Sequence, residues 1–291
     1  MPSIRRLAER HGWKLGLSRF VAGATLREAL AAIARLEGDG FTTILDLLGE
    51  SVTSEAGARA MHAGLVGAVG AVSEIHYPGH VSLKPTQIGL AIDRDLALEL
   101  ARDLCLRAAA IGVTVTLDME DHPNVDGTLH IYKTLRAEGL SNVCAVLQSY
   151  LRRTPADLES LLPLAPTIRL VKGAYSEPPR VAHTRAPVMN RAFLDLTFRL
   201  LDGGGRAQVA THDERLVREV ERRVDERGIG PDRVEYQFLY GVRRDLQRRL
   251  VGAGRRVRIY VPYGADWYAY YSRRIAERPA NLAFALRSLI G

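Results

Sequence analysis

The 291-residue sequence predicts one α/β domain, an eight-stranded (βα)8 barrel, and three observations support this. Short β-rich runs alternate with longer amphipathic helical stretches along the chain. Eight such repeats in fewer than 300 residues favour a closed barrel over an open doubly wound sheet. The G-x-G-x-x-G fingerprint that would open a dinucleotide-binding sheet is missing.

The strands are expected at 42–47, 81–84, 113–118, 143–148, 167–172, 208–211, 234–239 and 257–261. Helical periodicity fills the intervals at 54–72, 94–111, 126–138, 155–162, 189–200, 213–227 and 242–253. A further helix over 267–278 follows the last strand and stops before Pro279, because backbone preceding a proline disfavours the helical region. Residues 1–41 are expected to form an N-terminal helical segment, and 42–291 the barrel. No linker or low-complexity stretch divides them.

A chain of this length buries a large core without covalent staples. Cys105 and Cys144 lie in apolar stretches and suit small core residues in a reducing compartment. The Cys and His spacings of a zinc site are absent, so no metal is expected. No secretory signal and no run near the roughly 18 apolar residues of a membrane span is present, which predicts a cytoplasmic protein. The net charge of +7 has two readings, a general arginine preference or attraction to an anionic surface. The arginine-rich stretches 215–227 and 243–258 carry interleaved acids, as solvated helix faces do. No aromatic-interleaved basic motif points to nucleic acid.

In such a barrel the active site forms at the carboxyl ends of the strands. Those ends carry Asp46 and Glu50, Lys84, Asp118 and Glu120, Gln148, Arg169 and Lys172, Thr211 and His212, Gln237 and Tyr240, then Tyr260 and Tyr263. Polar residues at single strand ends meet water and need no further reason. Convergence of Lys84, Arg169 and Lys172 on one mouth suits an anionic ligand, bound through phosphates or carboxylates. The segment 168–175, Ile-Arg-Leu-Val-Lys-Gly-Ala-Tyr, is the most informative. Two cations interrupt a strand there, and a buried cation is costly without an anion or hydrogen-bond partner. Gly173 and Ala174 then allow close backbone approach to a ligand. Only Lys14, Lys84, Lys133 and Lys172 are lysines among 40 basic residues, so a lysine at a strand end has a specific task.

Tyr270, Arg273, Arg274 and Glu277 share one face of the last expected helix. That helix can fold over the mouth, where two guanidinium groups would clamp a carboxylate. The alternative is a salt-bridged surface face with Glu277. His212 has no triad spacing around it, and no G-x-S-x-G motif is present.

Together the segments VSLKP (81–85), LDMED (117–121), VLQSYLRRT (146–154), RLVKGAY (169–175), ATHD (210–213), EYQFLYG (235–241) and YVPYGADWYAYYSRRIAERPAN (260–281) resemble the proline dehydrogenase family in its stand-alone bacterial form. The motifs keep their chain order from about residue 42 to the C-terminus. The resemblance implies a distorted (βα)8 barrel with non-covalent FAD and a C-terminal helix over the mouth. It implies oxidation of L-proline to Δ1-pyrroline-5-carboxylate, the first step of proline catabolism to glutamate, with electrons passed to a membrane quinone. Peripheral contact at the inner face of the membrane and a separate pyrroline-5-carboxylate dehydrogenase would accompany that chemistry.

By the same resemblance Lys84, Arg273 and Arg274 bind the proline carboxylate. Asp118 is the active-site aspartate, and Arg169 lies beside the flavin. Met119, Gln148, Lys172, Gly173, Ala174, Thr211 and His212 contact FAD. Tyr260 and Tyr270 shape the proline pocket, and Tyr175 is a further pocket residue. Elementary chemistry agrees: a fixed cation stabilises the negative charge that a flavin gains on reduction. Proline is a zwitterion, so its carboxylate needs cations and its amine must lose a proton. Asp118 is a candidate to accept that proton or to orient a neighbour. The same residues leave two alternatives open, a barrel enzyme with a phosphorylated ligand on Arg169 and Lys172, and a non-catalytic module on anionic lipid or nucleic acid.

Overall fold

Eight parallel strands pair in chain order and close into a barrel in the computed structural model of the chain, which describes residues 19–49, 52–75, 79–267 and Tyr270. The strands are β1 (Thr42–Leu47), β2 (His80–Leu83), β3 (Thr114–Leu117), β4 (Val143–Gln148), β5 (Thr167–Val171), β6 (Arg206–Ala210), β7 (Val234–Leu239) and β8 (Val257–Tyr263). Helices α2 (Glu55–Ile75), α3 (Arg94–Ala110), α4 (Val125–Ala137), α5 (Thr154–Leu161), α6 (Ala186–Asp202), α7 (Glu214–Glu226) and α8 (Arg244–Gly252) follow β1 to β7 in turn. Expected and observed strands agree within one or two residues at each end. The main extension is β8, which runs on to Tyr263 because β1 pairs with it from Thr42↔Arg258 to Leu47↔Tyr263.

Alternation along each strand sorts the side chains. Leu45, Val81, Leu83, Val115, Leu117, Ala145, Ile168, Leu170, Val209, Phe238 and Ile259 are buried beneath the helices. The other parity is unusually polar and buried, with Asp46, Ser82, Thr116, Arg169, Gln208, Glu235, Gln237 and Arg258. Hydrogen bonds from β5 to β7, and from Arg169 to Asp118 at the end of β3, join elements that are not neighbours, so they cross the lumen.

The helices show why their sequences stop and start where they do. Asp93 caps α3 by accepting from the amides of Asp95 and Leu96. On α7, Leu216, Val217, Val220 and Val224 are buried while Arg218 and Arg222 pair along the exposed face with Glu214 and Glu226. The expected solvated arginine face is therefore present. Helix α6 starts three residues before its expected position, at Ala186, with Pro187 tolerated in the first turn.

Within the expected N-terminal segment, helix α1 (Leu26–Gly38) forms, and the Thr25–Glu28 capping box fixes its start. It packs against β1 and β8, the seam that a helix after β8 covers in a regular repeat. Residues 1–18 lie outside the described residues, as does most of the helix expected over 267–278. A strap at 19–23 ties α1 to the mouth: Ala22 N donates to Pro262 O at 2.9 Å, and Gly264 N donates to Gly23 O at 3.1 Å. Among the described residues no helix is long and apolar enough to cross a membrane.

The strap passes over Gly241, whose φ is +73°. A Cβ there would stand 1.7 Å from the carbonyl oxygen of Arg19. Gly241→Ala is therefore expected to lower the unfolding free energy by more than about 1 kcal/mol, since left-handed strain alone costs that much. Chemical denaturation tests this, and an unchanged midpoint would show that the strap does not dock there.

Candidate active site

A cavity of about 1050 Å³ opens at the carboxyl ends of the strands. It is large for a small-molecule site, where about 300–1,000 Å³ is usual. Its floor is built from β2, β3, β5 and β8, and strand register sets the floor's height. Leu83 pairs with Leu117, so the next residues, Lys84 and Asp118, stand at one level. Asp118 N donates to Leu83 O, and Gln87 ties down this corner by accepting from Lys84 N and donating to Leu47 O.

On that floor Lys84 Nζ lies 2.8 Å from Asp46 Oδ1, 3.5 Å from Tyr260 Oη and 3.9 Å from Asp118 Oδ2. Asp118 accepts from Arg169 Nη1 at 2.6 Å and from Tyr260 Oη at 2.7 Å. Arg169 stacks over the Tyr260 ring at 5.2 Å and donates through Nε to Gln237 Oε1 at 2.7 Å. Burial pushes the Asp46 carboxyl up against the opposing pull of Lys84. Burial, then the charges of Asp118 and Asp46, push the Tyr260 phenol well above its ordinary value, so Tyr260 stays a proton donor to Asp118.

The outer half of the cavity is lined by Met119, Gln148, Lys172, Gly173, Ala174, Thr211 and His212. Gln148 donates to the Glu120 carbonyl, and His212 Nε2 accepts from Leu239 N, which places the ring proton on the other nitrogen. Lys172 differs from the expectation of a buried strand cation. It lies one residue beyond β5, about a third exposed, and pairs with Asp213 at 2.8 Å. Gly173 also has a reason that the sequence did not show. Its φ is +125°, and a Cβ would stand 2.2 Å from the Tyr150 ring, so the glycine is required by an aromatic neighbour as well as by any ligand. Tyr175 is at the edge, with its carbonyl accepting from Tyr150 Oη.

The structure thus brings Lys84, Asp118, Met119, Gln148, Arg169, Lys172, Gly173, Ala174, Thr211, His212, Tyr260 and Tyr270 to one cavity. Tyr270 is buried beside Phe20, Val21, Leu48 and Trp267. Arg273 and Arg274 lie outside the described residues. Asp46 and Gln237 stand among the strand ends named from the sequence but without an assigned role, and Tyr150, Arg215, Arg218 and Arg243, which also line the cavity, were not among the site residues. The three arginines had been assigned to solvated faces. The signal for Gln237 was available: Glu235 and Gln237 share parity on a buried strand.

The donor set suits an anionic ligand. At the floor, Arg169 Nη2 is buried without a hydrogen-bond partner among the described residues. At the rim, Lys172, Arg215 and Arg243 supply positive charge. Among the described residues no group of three His, Cys, Asp or Glu side chains is placed to hold a metal.

The model of a family described as proline dehydrogenase matches residues 29–287. The curated proline dehydrogenase of Deinococcus radiodurans is 43% identical over 99% of this chain and 94% of its own. Proline dehydrogenase 1 of Bacillus subtilis (strain 168) is 38% identical over 99% of this chain and 95% of its own. The solved structure of proline utilization A from Bdellovibrio bacteriovorus, inactivated by N-propargylglycine, has the same fold, with a TM-score of 0.84 and 23% identity over 90% of this chain. This chain spans about a third, 32%, of that longer one.

Burial pushes the Asp213 carboxyl up, but the bond and charge of Lys172 and the amides of Arg215 and Leu216 bring it below its ordinary value. A depressed carboxyl contributes stability that is complete above the ordinary carboxylate range and is lost as pH falls through the depressed value. Lys172→Met should move the Asp213 titration upward. Carboxyl-carbon NMR measures it, and an unmoved titration would show that the pair does not form.

Proposed function

The chain belongs to the proline dehydrogenase family, an oxidoreductase family, and from that membership we propose that it oxidises L-proline to Δ1-pyrroline-5-carboxylate with a non-covalently held FAD, the first step of proline catabolism to glutamate. The observation that carries the cofactor is the Arg169 guanidinium, which lines the cavity and holds Asp118 and Gln237. FAD, when bound, supplies the hydride acceptor.

The chain's own residues divide the remaining work. Lys172, Gly173, Ala174, Thr211 and His212 would hold the distal, phosphate-bearing part, with Met119 and Gln148 beside the ring. Lys84, with Arg273 and Arg274, would hold the proline carboxylate. Tyr260 and Tyr270 would enclose the ring of the substrate and exclude water. Asp118 has one oxygen on Arg169 and the other on Tyr260, so taking a proton from the amine would weaken the charge-assisted bonds it accepts. That geometry favours Asp118 as the group that orients Arg169 and Tyr260.

Electrons would pass to a membrane quinone, and the product to a separate pyrroline-5-carboxylate dehydrogenase. The net charge of +7 supports peripheral contact of a cytoplasmic protein with anionic lipid.

The purified protein is expected to be yellow, and L-proline should bleach its flavin band without oxygen. A colourless protein that, refolded with FAD, still is not reduced by proline overturns the reading. Arg273→Met and Arg274→Met should each raise the proline KM by the equivalent of about 2–5 kcal/mol, the cost of leaving a desolvated charge unpaired. The flavin band should persist in both variants. An unchanged KM would remove the carboxylate clamp.

A further inference from the structure

The lumen beneath Arg169 holds a hydrogen-bonded chain that the reaction outlined above does not use. Arg258 Nη1 donates to the Thr43 carbonyl at 2.6 Å, which anchors its guanidinium to β1. Its Nε donates to Glu235 Oε1 at 2.8 Å, and its Nη2 to Glu235 Oε2 at 3.1 Å. Glu235 Oε1 also accepts from Gln237 Nε2 at 2.8 Å, and Gln237 Oε1 accepts from Arg169 Nε at 2.7 Å. All four side chains are buried. Burial alone would push the Glu235 carboxyl up, but Arg258 outweighs it and holds the group below its ordinary value.

An ionised carboxylate only accepts hydrogen bonds. Gln237 must therefore turn its NH2 toward Glu235 and its oxygen toward Arg169. Reversing the amide would set two acceptors against each other below and two donors against each other above. Glu235 is neutralised by Arg258, so its charge is used one layer below the cavity. Arg169 then meets a neutral oxygen at Nε and a single carboxylate, Asp118, at Nη1. That carboxylate is itself shared with Tyr260 and lies 3.9 Å from Lys84.

We propose that Glu235 and Gln237 are positioning residues: Glu235 fixes the polarity of the Gln237 amide, and the amide holds Arg169 without neutralising it, so that its positive charge is left for the cavity. A carboxylate in place of Gln237 would hold Arg169 equally well but would cancel that charge. The functional consequence rests on the flavin reading, whereas the geometric relay does not.

Two variants separate holding from charge. Gln237→Met removes the acceptor at Arg169 Nε. The exchange Glu235→Gln with Gln237→Glu keeps the lumen's net charge and side-chain volume and moves the negative charge next to Arg169, while Arg258 loses one of its two bonds to position 235 because an amide offers a single oxygen. In the parent protein the Arg169 Nε–H resonance should be shifted and protected from exchange. Gln237→Met should lose that protection and slow single-turnover flavin reduction by proline at least tenfold, about the scale of losing an aligned charge interaction. The proline KM should change much less.

The exchange variant should keep the protected resonance, with a lower thermal midpoint because buried Arg258 loses its carboxylate. It should still be reduced at least about tenfold more slowly, with a lower flavin reduction potential, because a second anion now faces Arg169. An exchange variant with parent potential and parent rate overturns the charge argument. An Arg169 resonance unaltered in Gln237→Met overturns the relay itself, and this outcome is readable without any flavin bound. If the exchange variant does not fold, Gln237→Met decides by the same two readouts. A parent protein that binds no flavin would refute the cofactor reading and with it the functional consequence, while the resonance would still judge the relay.

Discussion

Ionised side chains inside a barrel must meet their opposites, because the lumen offers no water to replace them. Among the described residues, Lys84, Arg169 and Arg258 face Asp46, Asp118 and Glu235 there, joined by bonds of 2.6–2.8 Å. Such a set is a poor way to gain stability. Apolar residues of the same volume often serve as well, whereas loss of one partner costs about 3–5 kcal/mol. Its presence is better explained by what it does at the open end. The lower pair, Glu235 and Arg258, is bidentate and anchored to Gln237 and the Thr43 carbonyl, and the upper pairs are shared among several groups. The mouth therefore faces the cavity with donors and charge already fixed, and little reorganisation remains when a ligand arrives.

The rim follows a different electrostatic rule. Lys172–Asp213 and Arg243–Glu214 are partly exposed. Salt screens them, and each contributes little to folding. Such pairs can open more readily to admit another charge, while the floor pairs cannot open without leaving a buried charge. The site thus combines a rigid inner end with an adaptable outer one.

Much of this was legible in the sequence. All eight strands were visible because each is a short, largely apolar run bounded by turn residues, and most of the residues named at the strand ends line the cavity. The segment around Arg169 stood out because a buried cation requires a partner. The partners themselves were not legible. Arg169 meets Asp118 and Gln237 at separations of 51 and 68 residues, and Arg258 reaches Thr43 across 215. Local pattern carries no information on such pairings until barrel register is known. Lys172 looked buried because its neighbours are apolar, but β5 ends one residue before it. Gly173 was read as room for a ligand, and only the position of Tyr150 shows the second constraint.

The seam between β1 and β8 also bears on how this chain reaches its native state. The first strand must find the last, and α1 and the strap settle over that joint. During synthesis β1 therefore has one edge unpaired until β8 has been made, more than two hundred residues later. Glu235, made 23 residues before Arg258, also lacks the arginine that neutralises it until β8 is in place. The polar lumen thus disfavours partly closed forms, since a seven-stranded sheet would bury an acid without its base. Closure then approaches an all-or-none event of high contact order, slow to occur and costly to reverse.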